Sequence, residues 1–154
     1  VVGRIGSGKS ALFHAILGSL HKVKGTVTVH SSVAYVAQDT WLLNAMIRDN
    51  ITFGHEWDAV FYENTVKACE LVSDFVQFPN GDQTEVGDRG IMLSGGQKAR
   101  LSLARAVYSR ADIYLLDDPL AAVDQHVARH LVDNVLGRHG LLQGRTRIVV
   151  TNSE

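Results

Sequence analysis

The sequence has a single cysteine, Cys69, so it can form no intramolecular disulfide, which fits a reducing compartment. No run of Lys and Arg occurs, and a formal net charge of −1 over 154 residues gives no electrostatic footprint for nucleic acid. No apolar stretch approaches the roughly 18 residues that a membrane span needs, and no signal-peptide pattern opens the chain. Low-complexity segments and internal repeats are also missing, so no internal linker is expected. What remains is ordinary for a globular protein. The chain is 45% hydrophobic and 20% charged, and its length suits one domain with a real core.

The stretch that organises the chain is Ile113-Tyr114-Leu115-Leu116-Asp117-Asp118-Pro119. Four consecutive apolar residues are too few for a helix and read as a buried strand of a parallel sheet. Pro119 stops the run at once. The strand thus delivers two adjacent carboxylates at its C-terminal tip, where open α/β sheets bind their ligands. Such a tip is expected to hold a metal, a phosphate-bound metal or a water.

Gly3-Arg4-Ile5-Gly6-Ser7-Gly8-Lys9-Ser10 supplies the phosphate site, because it fits G-x-x-x-x-G-K-[ST] at every fixed position. The glycines let the backbone wrap so that several N–H groups point at one phosphate. Lys9 places a compact positive charge on the terminal phosphates, and the Ser10 hydroxyl can ligate Mg²⁺. Ala11 to Gly18 follows as a helix stopped by glycine, its dipole adding to the anion site.

Further along, Thr26–Val29 and Val33–Val36 read as two short strands around a polar turn, with Gln38 just past the second. Residues 58–78 read as amphipathic helix, ended by Pro79-Asn80-Gly81-Asp82. Leu93-Ser94-Gly95-Gly96-Gln97 opens a helix from Lys98 to about Tyr108, with Ser94 as N-cap and the glycines exposing amides at its positive end. This is a second phosphate-binding design in one chain. Val1-Val2-Gly3 is expected to end one strand and Arg147–Asn152 to form another, with both chain ends expected to be cuts through a larger domain.

Taken together and in this order, these motifs resemble the nucleotide-binding domains of ABC transporters, over the whole chain. The resemblance implies an α/β fold: a P-loop NTPase, RecA-like core (1–37 and 110–154) with an inserted α-helical subdomain within 38–109, here lacking N-terminal strands and the C-terminal end. It makes Gly3 to Ser10, with Ala11, the Walker A motif, Gln38 the Q-loop glutamine and Leu93 to Gln97 the signature. Ile113 to Asp117 takes the place of Walker B, Asp118 that of the catalytic carboxylate, Ala121 to Asp124 that of the D-loop, and Asn152 that of the switch histidine. ATP and Mg²⁺ are the implied ligands, with Ser10, Gln38 and Asp117 on the metal. A second nucleotide-binding domain is the implied partner, bound head to tail, so that the Ser94, Gly95, Gly96 and Gln97 signature serves that partner's ATP. Transmembrane domains of the same polypeptide are a further implied partner.

Residues 36–45, 84–90 and 117–124 resemble the first nucleotide-binding domain of C-subfamily (multidrug-resistance-associated) exporters. Residues 124–131 and Asn152 are similar to fungal vacuolar glutathione-conjugate and cadmium transporters. That implies export of organic anions or glutathione conjugates, from the cytoplasmic face of the vacuolar membrane. The family's adenine-stacking aromatic would lie upstream of Gly3.

Two positions depart from the complete catalytic set. The usual general base is glutamate, and Asp118 is shorter by one methylene, which retracts the carboxylate by roughly 1–1.5 Å. A base needs hydrogen-bond reach of about 2.6–3.2 Å to its water, and misplacement by ~1 Å lowers a rate by about a hundredfold. Asn152 replaces histidine with a neutral amide. ATP binding is expected to survive both changes and hydrolysis to weaken, with little ATPase activity from the chain alone. A regulatory module gating a channel or receptor is the alternative that also suits a slow site. A soluble ABC protein of translation or DNA repair fits less well, since residues 41–51 resemble the exporter segment that meets coupling helices. His126 and His130, at i and i+4, are expected on a solvated helix face, Cys69 in the core, and Trp41 and Trp57 in packing or interface roles.

Overall fold

The computed structural model describes residues 1–4, 6–87 and 91–152, so Ile5 of the Walker A motif and Asp88-Arg89-Gly90 of the subfamily pattern lie outside it. In chain order the elements are α1 (Lys9–Ile16), β1 (Val33–Val36), α2 (Ile47–Thr52), α3 (Ala59–Ala68), α4 (Val72–Gln77), α5 (Gly95–Tyr108), β2 (Ile113–Asp117), α6 (Gln125–Leu131) and β3 (Thr146–Val150). A 3₁₀ turn, Gly81–Gln83, separates α4 from α5, and α6 runs on into a π-helical turn, Val132–Leu136.

The apolar run at 113–116 forms the expected strand, and it is the middle one. The sheet is parallel in the order β1-β2-β3, with Leu115 level with Tyr35 on one side and Ile148 on the other. Alternation along the strands sends side chains to two faces. Leu115 and Val150 pack with Phe13 of α1, flanked by Val33, Tyr35 and Ile148. Ala34, Val36, Tyr114 and Leu116 point the other way, into a larger cluster shared with α2, α3 and α5. Both faces of the sheet are thus covered, as a parallel sheet requires.

Helix ends follow local chemistry. Past α1, Gly18 takes φ 75, while its N–H donates to Ala15 O and that of Ser19 to His14 O. That pair of reversed bonds is the glycine stop read from the sequence. The helix at the signature begins at Gly95, not Lys98, because the Ser94 cap sits one residue before it.

Three further expectations are corrected. Thr26–Val29 forms no strand, and Val23, Val27 and Val29 are exposed. β-branched alternation makes a strand only where a ladder partner exists, and among the described residues β1 pairs only with β2. The 58–78 helix is two helices, broken where Glu70 adopts φ 55 and Leu71 N–H returns to Val66 O. Its mixed three- and four-residue spacing had hidden the corner. Val1–Gly3 contributes only a bridge, Val2 beside Thr151, with Thr151 N–H donating to Val1 O at 3.1 Å. No helix among the described residues is long and apolar enough to cross a membrane.

Candidate functional site

The Walker A loop leads straight into α1, whose first two residues are Lys9 and Ser10. Gly6 and Gly8 stand at φ 82 and 84, and a Cβ at either would meet open space. Only the backbone, not crowding, therefore asks for glycine, and the open side is where a ligand would approach. Lys9 Nζ donates to Gly3 O at 2.6 Å and Arg4 O at 2.9 Å, so the ammonium is folded over its own loop. Gly3 lies close inside this fold, 3.1 Å from Ser7 Oγ at a built Cβ. Ser7 and Ala11 are exposed, Ser10 half-buried, and α1 has no acid in its first turn to compete for an anion.

Asp117 closes β2 and is buried, 3% exposed. By strand parity it points to the face that α1 covers, the same side as Leu115. The Tyr35 phenol on that face is pushed above its ordinary value, first by burial and then by the charge of Asp117. A serine hydroxyl at the helix start and a carboxylate at the strand tip are oxygen donors of the kind that Mg²⁺ takes. The donor chemistry fits the ion.

Asp118 turns out of the strand at φ 48, a left-handed conformation that non-glycine residues rarely take. Its N–H donates to Val150 O at 2.9 Å, which extends the β2–β3 ladder by one bond, and its carbonyl accepts from Ala121. One side-chain oxygen, Oδ2, accepts a 2.7 Å hydrogen bond from Asn152 Nδ2. The two residues that depart from the family pattern thus touch each other, 34 positions apart in sequence. Gln38, exposed just past β1, lines a cleft of about 340 Å³ together with Asp118, Pro119 and the first turn of α5 at Gly95 and Lys98.

The signature turn is held by its own side chains. Ser94 Oγ accepts from Gln97 N–H at 3.2 Å while Gln97 Oε1 accepts from Ser94 N–H at 2.9 Å, a reciprocal capping box. Ser94 and Gly95 are exposed. Gly96 is packed against the D-loop of the same chain, 3.0 Å from Ala122 O at a built Cβ. Sequence reasoning missed three residues here: Lys98 in the cleft, and Asp74 and Arg100, whose 2.7 Å ion pair sits behind the signature. A basic residue one helical turn after Gly96 was the only local signal for Arg100. Asp74, on another element, gave none.

Other residues singled out in the sequence have structural partners. His130 Nε2 lies 2.9 Å from Glu70 Oε2, and His126 is exposed. Cys69 is fully buried, and burial pushes its thiol up to about 12. Trp57 stacks beside Tyr62 and Arg48. Trp41 lies over Arg105, 4.2 Å from its guanidinium, with its outer side exposed.

A family model described as ABC transporter matches residues 1–121. The chain is similar to metal resistance protein YCF1 of Saccharomyces cerevisiae, 61% identical over 152 residues, which is 99% of this chain and 10% of that protein. It is similar to ATP-binding cassette transporter abc2 of Schizosaccharomyces pombe, 60% identical over 153 residues, and to ATP-binding cassette sub-family C member 3 of Homo sapiens, 53% over 152, with the same two coverages of 99% and 10%. The chain therefore spans 10% of the length of the curated relatives it matches.

Proposed function

Because the chain belongs to the ABC transporter family, whose members are ATPases, we propose that it is the ATP-binding domain of an exporter of the C-subfamily type. In this proposal it couples ATP binding and hydrolysis to export of organic anions or glutathione conjugates. It works on the cytoplasmic face of a membrane, the vacuolar one by its fungal resemblance, joined to transmembrane domains and to a second nucleotide-binding domain. Its own Walker site holds ATP and cleaves it slowly, while its signature completes the partner's competent site.

Gly3, Arg4, Ile5, Gly6, Ser7, Gly8, Lys9, Ser10 and Ala11 would surround the phosphates, and Ser10, Gln38 and Asp117 would hold Mg²⁺. When bound, the ion neutralises charge developing on the transferred phosphoryl group. Lys9 is kept over the loop by Gly3 O and Arg4 O, so its charge is already in place before any ligand arrives.

The observation that carries the slow-site proposal is the hydrogen bond from Asn152 to Asp118. A general base must offer a lone pair to the attacking water. Here one carboxylate oxygen already accepts from an amide, on a side chain one methylene short. Asn152 cannot itself become charged as a histidine can. These features support binding without fast cleavage and leave the signature untouched.

Restoring both residues tests this. Asp118→Glu with Asn152→His, in the intact protein that carries this chain, is expected to raise ATP turnover from this site by about tenfold or more, since ~1 Å of misplacement is worth about a hundredfold. No rise would show that these residues do not limit it. Ser94→Arg should silence transport while ATP still binds the Walker A of this chain, and retained transport would refute the role of the signature. ATP-driven uptake of a glutathione conjugate into vesicles separates an exporter from a channel-gating module.

A further inference from the structure

Behind the signature, one buried carboxylate gathers several groups. Asp74, on α4 and only 6% exposed, accepts from Gln97 Nε2 at 2.9 Å and from Arg100 at 2.7 and 3.3 Å through both of its oxygens. Arg100 also donates to Gly96 O at 3.3 Å and to Glu70 O, the left-handed corner between α3 and α4. Gln97 has both ends of its amide engaged, one on Ser94 N–H and the other on Asp74.

A capping box alone would satisfy the start of α5. Adding a buried ion pair costs desolvation that its attraction only partly offsets, so the pair is poorly explained as a simple stabiliser. What it does add is orientation. Asp74 fixes the Ser94–Gly96 turn against α4, and Arg100 fixes it against the α3–α4 corner.

We infer that Asp74 is a positioning residue for the signature, acting through Gln97 and Arg100 to hold Ser94 and the Gly95 and Gly96 amides at the angle required to meet a nucleotide. Gln97 then serves as a strut and does not contact the nucleotide. The inference rests on the proposed role of the signature toward a second domain.

Donor–acceptor reversal tests it in the intact protein. Gln97→Glu keeps an acceptor for Ser94 N–H but sets a carboxylate against Asp74, so ATP-driven turnover is expected to fall about tenfold or more, in keeping with the effect of ~1 Å misplacement. ATP labelling of this chain's Walker A should not change. Combining Gln97→Glu with Asp74→Asn restores the contact with the amide now donating, and turnover should recover to within about threefold of the native protein, the residual covering the weakened Arg100 pair. A double variant no better than Gln97→Glu alone would mean that Gln97 acts on the nucleotide directly, and would overturn the inference. If Gln97→Glu does not fold, Asp74→Ala alone decides, since it removes the acceptor for both Gln97 and Arg100: a fall in kcat with Walker A labelling retained supports the positioning role, and unchanged turnover overturns it. Ser94→Arg runs in parallel. If it leaves turnover intact, the proposed function itself fails; if it silences turnover and the rescue is absent, only the role of Asp74 fails.

Discussion

Single residues in this chain divide by whether their chemistry or their surroundings define them. Lys9, Ser10 and Asp117 stand out in sequence as the groups that a phosphate and its metal would demand at that spacing, and in the structure they lie at the start of α1 and the tip of β2. Asp118 was legible as an acid. Its bond to Asn152 was not, because nothing local in sequence brings two loop residues 34 positions apart together. Arg105 was missed altogether. It is buried, and its guanidinium donates to Asn50 O and Asn50 Oδ1 at 2.8 Å each and to Trp41 O at 3.2 Å, while stacking on Trp41 and Phe53. Burial lowers its pKa, and its recorded partners are carbonyl and amide oxygens in place of a carboxylate. A planar fork is needed to reach all three acceptors, and a lysine ammonium cannot do so. Arg105→Lys should therefore lower stability by about 2–4 kcal/mol, through buried acceptors left without donors. Thermal unfolding checks this, and an unchanged midpoint would mean that water replaces the fork.

At the level of elements, the sequence predicted well wherever a boundary was set by local bonds. The glycine stop of α1, the Ser94 cap of α5 and the apolar run of β2 were all there to be read. The failures were non-local. Thr26–Val29 had the right residues but no ladder partner, and the α3–α4 corner rests on a glutamate in a conformation that sequence pattern reserves for glycine. Asp124 illustrates the local kind. It caps α6 by accepting from His126 and Val127 N–H at 2.9 and 3.0 Å, and the Val127 bond above all holds its carboxyl below the usual range. A carboxyl depressed by folding adds stability that is fully present above its unfolded pKa and is lost as pH falls through the lower folded value. Acid titration of stability should thus show a component below about pH 4 that Asp124→Asn removes, while the native protein and the variant converge at the acid end. Parallel curves at all pH values would contradict the assignment.

For the whole molecule, family membership was legible because the motifs occur jointly and in order, a far stronger signal than any one of them. Expected contacts with a second domain and with transmembrane domains rest on resemblance alone, since their geometry would belong to other surfaces. The resemblance puts one such surface at the segment around Trp41. The segment from Trp41 to Phe53 is tied down by Asn50, whose amide bonds Leu43 N–H, Leu43 O and Met46 O, and this segment leaves Trp41, Leu43, Met46 and Phe53 exposed. Held backbone beneath exposed apolar side chains would suit a docking face, and the proposed function assigns it to transmembrane domains. Leu43→Glu, which keeps the backbone bonds to Asn50, is expected to reduce ATP-driven transport about a hundredfold or more, as burying an unpaired charge in an interface costs several kcal/mol and each ~1.4 kcal/mol is about tenfold, with ATP binding retained. Transport at the native level would exclude this face as the coupling surface.

In the proposed function, ATP stays bound at this chain's own Walker site and is seldom cleaved there. The most direct measurement is the chemical identity of nucleotide bound at that site during steady turnover of the intact protein, read after rapid quenching of labelled ATP. The nucleotide at Lys9 and Ser10 is expected to be recovered mainly as uncleaved ATP, and mainly as ADP once Asp118→Glu and Asn152→His are introduced together. Recovery as ADP from the native site, formed at the overall turnover rate, would contradict it.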